Sequence, residues 1–369
     1  MKLVAEREAL FHGFQRVGAI VSTNIQQPVY RNVRLQASED VWLSATDLEV
    51  GIALRIPGAH VEETGVVLLP PTRVAPILGA TPDEHVSMVE DDGAVRIETN
   101  DGRFRILGED PTDFPDMPEL PATGVVEVDP EVFKYAVRRT LFAAAEERGR
   151  FALNGVLFVL GKDEGLEVVA ADGAQLAHVR KKVSNPEGIQ TEFIVMKRGL
   201  ELLMRMADYG REPVRFAATE NQFIAENDAG RMFCQLVDGQ FPNYREVIPE
   251  EGKVKVQLPV KEMLSAVKRA FFLTTEQARV VDFRFVSGEL LISAESADIG
   301  RADVRLPIDY DGEEATISFN PAFLQNMLSV VERDVVKMRF NDHRSPCVLK
   351  SGLDYTYVLS PVVREEAEV

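Results

Sequence analysis

Three stretches of this chain repeat one another at intervals of about a third of its length. An apolar strand leading into an amphipathic helix occurs at Lys2-Leu3-Val4 followed by 6–21, at Val126-Glu127-Val128 followed by 129–145, and at Val254-Lys255-Val256 followed by 259–274. Glu8, Glu131 and Glu262 fall at equivalent points. A strand pattern recurs at 41–54, 166–179 and 289–304, where Ala45, Ala170 and Ala294 are spaced by 125 and 124 residues. A strand running into a second helix recurs at 66–78, 192–206 and 315–328, with Pro70, Met196 and Asn320 spaced by 126 and 124. The first two copies also share a tail, GRFRILGEDPTDFP (102–115) and GRMFCQLVDGQFP (230–242). Such a chain is expected to fold as three similar domains of ordinary size. Their expected limits are 1–124, 125–252 and 253–369, at the turn-rich stretches Leu120–Gly124 and Pro249–Gly252. Each copy reads as two helices and some eight short strands, so the fold class is α+β, with helices covering one face of antiparallel sheets.

Two turns stand out. Asp91-Asp92-Gly93 reads as a tight hairpin. So does Asp172-Gly173, where an Asp-Gly pair is expected to take positive φ at both central positions. The strand after that second turn opens with the small and amide residues Ala174, Gln175 and Ala177 around Leu176, which leaves a surface of low relief.

Charge is divided unevenly. The whole chain carries −18, yet the six helical segments together carry +5, which leaves −23 on strands and loops. Broad adhesion to nucleic acid or to an anionic membrane is therefore not expected. The helices nevertheless repeat basic residues at Arg73, Lys134, Arg138, Arg139, Lys197, Arg198, Arg205, Lys268 and Arg269. If all face one way, they form a mildly basic surface suited to phosphate backbones without base reading.

Several function classes are not supported. No GxxxxGK[ST], GxGxxG or GxSxG motif occurs. The two cysteines, Cys234 and Cys347, give no disulfide framework and fit a reducing compartment. The five histidines have no metal spacing, and neither a signal peptide nor a membrane span is read, so no cofactor and no metal is expected. One enzymatic alternative stays open: a metal-dependent site built on Asp47, Glu49 and Asp172.

The stretches MKLVAERE, ATDLEVGI, FALNGVLF, VAADGAQLA, LVDGQFPNYREVIP and YVLSPV, in this order along the whole chain, resemble the bacterial DNA polymerase III β subunits, the sliding clamps. The resemblance implies the DNA clamp fold, a head-to-tail homodimeric ring around duplex DNA, and no catalytic site. The basic helix residues above would then face DNA. The implied partners are DNA, a second copy, and the replicative polymerase, clamp loader and repair factors, which dock through short linear peptides. The implied setting is the bacterial cytoplasm and nucleoid, with no membrane. Carried over by position, the peptide groove comprises Arg150, Leu153, Ala171, Gly173, Ala174, Gln175, Leu176, Pro242, Val247, Asn320, Phe323, Pro346, Val358, Ser360, Pro361 and Val362. The subunit interface comprises Leu78, Phe104 and Ile106 against Phe272 and Leu273. Departures from the family pattern are Ala171, Ala174, Gln175 and Glu246 around the groove, and the loops at Asn24 and Glu147, which lack common DNA-reaching side chains. These departures keep a second alternative in view, a diverged clamp paralogue serving repair or non-replicative partners.

Overall fold

The computed structural model describes every residue except 22–26, 147–150, 162–164, 186, 208–209, 277–278 and 364–369. Among the described residues there are six α-helices: α1 (Arg7–Gly18), α2 (Pro71–Ala80), α3 (Pro130–Thr140), α4 (Lys197–Ala207), α5 (Val260–Phe271) and α6 (Pro321–Ser329). Their starts bear out the repeat. Pro70, Met196 and Asn320 each stand immediately before a helix, and Glu8, Glu131 and Glu262 lie in the first turns of α1, α3 and α5. A carboxylate there is favoured by the helix dipole. Asn320 caps α6, its side-chain oxygen accepting from the Ala322 N–H at 3.0 Å.

By compactness the chain divides into two units, 1–131 with 198–236, and 132–197 with 237–369. The division passes through the middle repeat. The first unit holds two antiparallel sheets. One has five strands in the order His60–Glu63, Lys2–Glu6, His85–Asp91, Ala94–Glu98, Arg103–Leu107. The other has eight, in the order Val126–Val128, Val214–Ala218, Gln222–Asn227, Gly230–Gln235, Val50–Ile56, Val41–Thr46, Val33–Ala37, Gly65–Leu69. Helix α1 packs on α2 and on strands Val41–Thr46 and Val50–Ile56. It buries Leu10, Gly13, Phe14 and Val17, the i, i+3, i+4, i+7 stripe of an amphipathic helix.

The second unit is built likewise. Its eight-stranded sheet runs Thr191–Met196, Gly155–Gly161, Gly165–Ala171, Gln175–Lys182, Tyr355–Leu359, Cys347–Ser351, Val335–Phe340, Val254–Pro259. Its four-stranded sheet runs Gly300–Pro307, Glu289–Ser296, Val281–Val286, Ala315–Phe319. Helix α5 buries Val260, Met263, Ala266, Val267 and Ala270, and packs on α6 and on strands Glu289–Ser296 and Gly300–Pro307.

Register shows how deep the repeat goes. Ala45 faces Ile52, Ala170 faces Ala177 and Ala294 faces Ala302 in antiparallel pairs. In each large sheet a strand of one repeat pairs with a strand of the next: Val50–Leu54 with Gly230–Cys234, and Gln175–Val179 with Tyr355–Leu359. The two seams match bond for bond. The Gln235 N–H donates to the Glu49 carbonyl at 2.8 Å, and the Ser360 N–H donates to the Ala174 carbonyl at 2.8 Å.

The side chains on the seams differ. Leu176 faces Val358 at one, whereas Gly51 faces Phe233 at the other. A Cβ on Gly51 would lie 2.3 Å from the Phe233 ring, so the ring occupies the volume that Leu176 fills in its own unit. Gly51→Ala is therefore expected to cost about 1–3 kcal/mol by overpacking. Urea denaturation should show the loss, and Phe233→Val in the same chain should recover most of it. Equal losses in the single and double variants would contradict this packing.

Candidate functional site

The second unit carries a groove of about 270 Å³ over its seam. Ala171, Leu176 and Val358 stand side by side on three adjacent strands and form its floor. Leu153, Pro346 and Ser360 line it from flanking segments. The remaining wall is the chain after strand Gly230–Gln235, whose Phe241, Pro242, Asn243, Tyr244 and Val247 lie along the groove. That wall is anchored by burial: Tyr244 shares an apolar cluster with Leu153, Leu157, Val169, Ile194 and Val348, and Phe241 and Ile248 pack against it.

The turn beside the floor differs from the two-residue Asp-Gly reading. Asp172 opens the turn, and its Oδ1 accepts from the N–H groups of Ala174 and Gln175 at 2.8 and 2.9 Å. Gly173 and Ala174 are the central residues, and of the turn only Gly173 has positive φ, at 98°. This is the pattern with glycine at the first central position. The same device stands 125 residues earlier, where Asp47 Oδ1 accepts from the N–H groups of Glu49 and Val50 at 3.1 and 2.9 Å and Leu48 takes φ 76°. Asp47, Glu49 and Asp172 thus lie in turns, and both aspartates hold backbone. At the expected tight hairpin of Asp91–Gly93, Asp92 and Gly93, at φ 48° and 70°, join paired Asp91 and Ala94. Among the described residues no three His, Cys, Asp or Glu side chains gather as a metal site would require. Nor is any helix of those residues long and apolar enough to cross a membrane.

Several polar side chains at the groove are engaged within the chain. Gln175, 6% exposed, accepts from the Tyr357 hydroxyl at 2.6 Å and donates to Asp172 Oδ2 at 2.8 Å. Burial, reinforced by the neighbouring Tyr355 and Asp172, holds the Tyr357 phenol well above its usual pKa, so it stays a donor. Behind the wall, Glu167 Oε2 receives the Tyr244 hydroxyl at 2.7 Å and lies 2.9 Å from His178 Nε2, while its Oε1 is 3.1 Å from Arg245 Nη2. The His178 hydrogen bond above all, with the Tyr244 hydrogen bond and the His178 and Arg245 charges, against the cost of burial, pulls the Glu167 carboxyl from 4.5 down to about 2. Burial first, and the bond to Glu167, raise the Tyr244 phenol.

Of the residues assigned to the groove from sequence, Leu153, Ala171, Gly173, Ala174, Gln175, Leu176, Pro242, Val247, Pro346, Val358 and Ser360 line this cavity. Asn320, Phe323, Pro361 and Val362 do not: Asn320 caps α6, the Phe323 carbonyl faces the Tyr357 hydroxyl at 3.3 Å, and the Val362 N–H bonds the Ser318 carbonyl. Arg150 lies outside the described residues, as do Asn24 and Glu147. Phe241, Asn243 and Tyr244 were missed. The tail shared by the first two repeats carried the signal, since Phe241-Pro242 matches Phe114-Pro115.

Three family models, the N-terminal, central and C-terminal domains of the DNA polymerase III beta subunit, match residues 1–118, 127–243 and 245–362. The chain belongs to the DNA polymerase III beta subunit family. Its relatives include the beta sliding clamp of Chlamydia pneumoniae, 26% identical over 98% of this chain and 99% of that protein. The solved Bacillus subtilis DNA polymerase sliding clamp superposes with a TM-score of 0.92 at 24% identity, over 99% of this chain and all of that one. A Pseudomonas aeruginosa sliding clamp solved with griselimycin bound gives 0.91 at 25% identity, with coverage of 99% and 100%.

Among the basic residues that membership in this beta subunit family makes interesting, Arg73, Arg138, Arg198, Arg205, Lys268 and Arg269 are exposed and Lys134 and Lys197 half-buried. Arg139 is a correction. It is 3% exposed, lies over the Tyr135 ring at 3.5 Å and pairs with Glu332 at 3.3 Å, so its cation is committed to the fold. Arg198 pairs with Asp47 and donates to the Ile20 carbonyl at 3.5 Å. Of the residues assigned to the subunit interface, Phe272 and Phe104 are 76% and 38% exposed. Leu273 is half-buried. Leu78 and Ile106 are buried within the chain.

The Glu167 cluster yields a pH test. A carboxyl lowered on folding adds stability above its ordinary value near 4.5, and the gain is lost as pH falls toward 2. Glu167→Gln should lower stability at neutral pH by on the order of 2 kcal/mol. Thermal melts should show the gap between the two proteins closing between pH 4.5 and 2, the span of the shift. A gap constant across that span would argue against the carboxylate as the clip.

Proposed function

We propose that this chain is the sliding clamp of a bacterial DNA polymerase: a processivity factor with no catalytic site, which encircles duplex DNA as a head-to-tail homodimer in the cytoplasm. Family membership along nearly the whole chain carries this reading. The three domains are then 1–124, 125–252 and 253–369. The groove over Ala171, Leu176 and Val358 takes a short linear peptide from the polymerase, the clamp loader or a repair factor. An apolar floor of about 270 Å³ suits one or two side-chain anchors. Griselimycin on the P. aeruginosa protein is a ligand of a relative's surface and accords with a docking role.

Strand Arg103–Leu107 ends one sheet and Gly300–Pro307 ends another, which favours dimer closure by pairing the edge of one copy with the other edge of the second. The exposed Phe104 and Phe272 are the apolar part of that interface. The exposed basic helix residues supply weak, sequence-independent attraction to phosphates, which holds DNA without arresting movement. Loading onto DNA falls to a separate ATP-driven machine.

Retention on nicked circular DNA after loading, with escape once the circle is linearised, is the decisive expectation; equal retention on both forms would count against encirclement. Val247, 52% exposed, is the safer groove probe, because Leu176 is 5% exposed and belongs to the core. Val247→Glu should lose affinity for a Gln-Leu-x-Leu-Phe-type peptide about tenfold or more, with the dimer unchanged. Phe272→Ala with Leu273→Ala should give monomers by sedimentation, and an unaltered dimer would remove those residues from the interface.

A further inference from the structure

We infer that the groove selects the charge beside its partner's apolar anchors, and that Glu246 is the residue that selects a basic flank. This rests on the reading of the groove as a peptide site. Among the described residues, none of its lining side chains carries a formal charge. Three of its polar side chains are engaged within the chain, Gln175 by Tyr357 and Asp172, Tyr244 by Glu167 and Asn243 by Glu246. Discrimination therefore falls to charges just outside the lining.

On the wall formed by residues 237–247, Arg245 is the one cation in the sequence. Its guanidinium lies over the Tyr244 ring at 4.6 Å and pairs with Glu167 at 3.1 Å, which answers its charge. Glu246 is placed differently. It is exposed, and its Oε1 accepts from Asn243 Nδ2, a groove-lining side chain, at 2.7 Å. One carboxylate oxygen is thereby held at the groove rim, where a Lys or Arg following an apolar anchor can reach it. The loop before Pro346, on another part of the rim, carries the exposed Arg344, while Asp342 spends its Oδ1 on the N–H groups of Arg344 and Ser345 and on the Ser345 hydroxyl. The wall is thus the acidic side of the rim, and a basic residue is favoured there and an acidic one disfavoured.

Two synthetic peptides sharing a Gln-Leu-x-Leu-Phe core, one flanked by Lys and one by Glu, provide the test by fluorescence anisotropy. At low salt the Lys peptide should bind the unaltered dimer about 2–5-fold more tightly, the scale of an exposed ion pair. The preference should fade at high salt, vanish in Glu246→Gln and reverse in Glu246→Lys. Glu246 is exposed, so both variants should melt as the parent does. Equal binding of the two peptides across all three proteins would overturn the inference and leave the peptide groove standing. Failure of both peptides to bind an intact dimer would overturn the groove as well.

Discussion

Strand Gln175–Val179 meets strand Tyr355–Leu359 edge to edge, and the floor of the second unit's groove follows from that pairing. The two strands come from consecutive repeats. Their antiparallel register puts Leu176 beside Val358 on one face and brings the Ser360 N–H to the Ala174 carbonyl. The turn Asp172–Gln175 is fixed from both ends, by Asp172 within it and by Ser360 across it. A groove floored by paired backbone is presented in one shape, so a segment docking as proposed would bear the ordering cost largely alone. The strand is internal to its sheet, which is why small side chains there create room rather than a weak edge.

The first unit shows what the same pairing yields with other side chains. Its seam repeats the hydrogen bonds and the aspartate turn, yet Phe233 lies over Gly51 where Val358 lies beside Leu176. The large ring needs a neighbour without a Cβ, and the two residues together fill the space. Where the other unit has Gly173, at positive φ, this one has Leu48, an arrangement that costs a non-glycine residue roughly 1–2 kcal/mol. One backbone scheme thus serves as packed core at one seam and as an open groove at the other. The cross-strand pair Gly51 and Phe233 at one, and Leu176 and Val358 at the other, marks the difference.

Much of this was legible in the sequence, since repeats at fixed spacing record equivalent backbone positions. Ala45, Ala170 and Ala294, and Pro70, Met196 and Asn320, do occupy equivalent places in strands and before helices. What spacing could not convey was the direction of individual side chains. Arg139 lies one residue from the exposed Arg138, and a step of about 100° along the helix carries it into the core, against Tyr135 and Glu332. Leu78, on α2, is buried by the same logic. The groove wall was legible only in part, because Tyr244 acquires its place from Glu167, a residue far away in sequence. Compactness also cuts the middle repeat, because pairing between repeats binds its strands to neighbours on either side.

The division of charge has a structural cause. The last turns of α3, α4 and α5 carry Arg138 and Arg139, Arg205, and Lys268 and Arg269, the end of a helix where cations offset the exposed carbonyl dipoles. Helix stability alone therefore favours basic residues there in successive repeats. Some of those cations are then taken up by the fold, Arg139 by Glu332 and, at the start of α4, Arg198 by Asp47 and Lys197 by Glu146. The positive charge left over is smaller than a residue count gives. On the proposed reading, in which a ring holds its polymer by topology, that moderation is fitting: each additional phosphate neutralised would steepen the salt dependence and deepen every stationary position along the duplex.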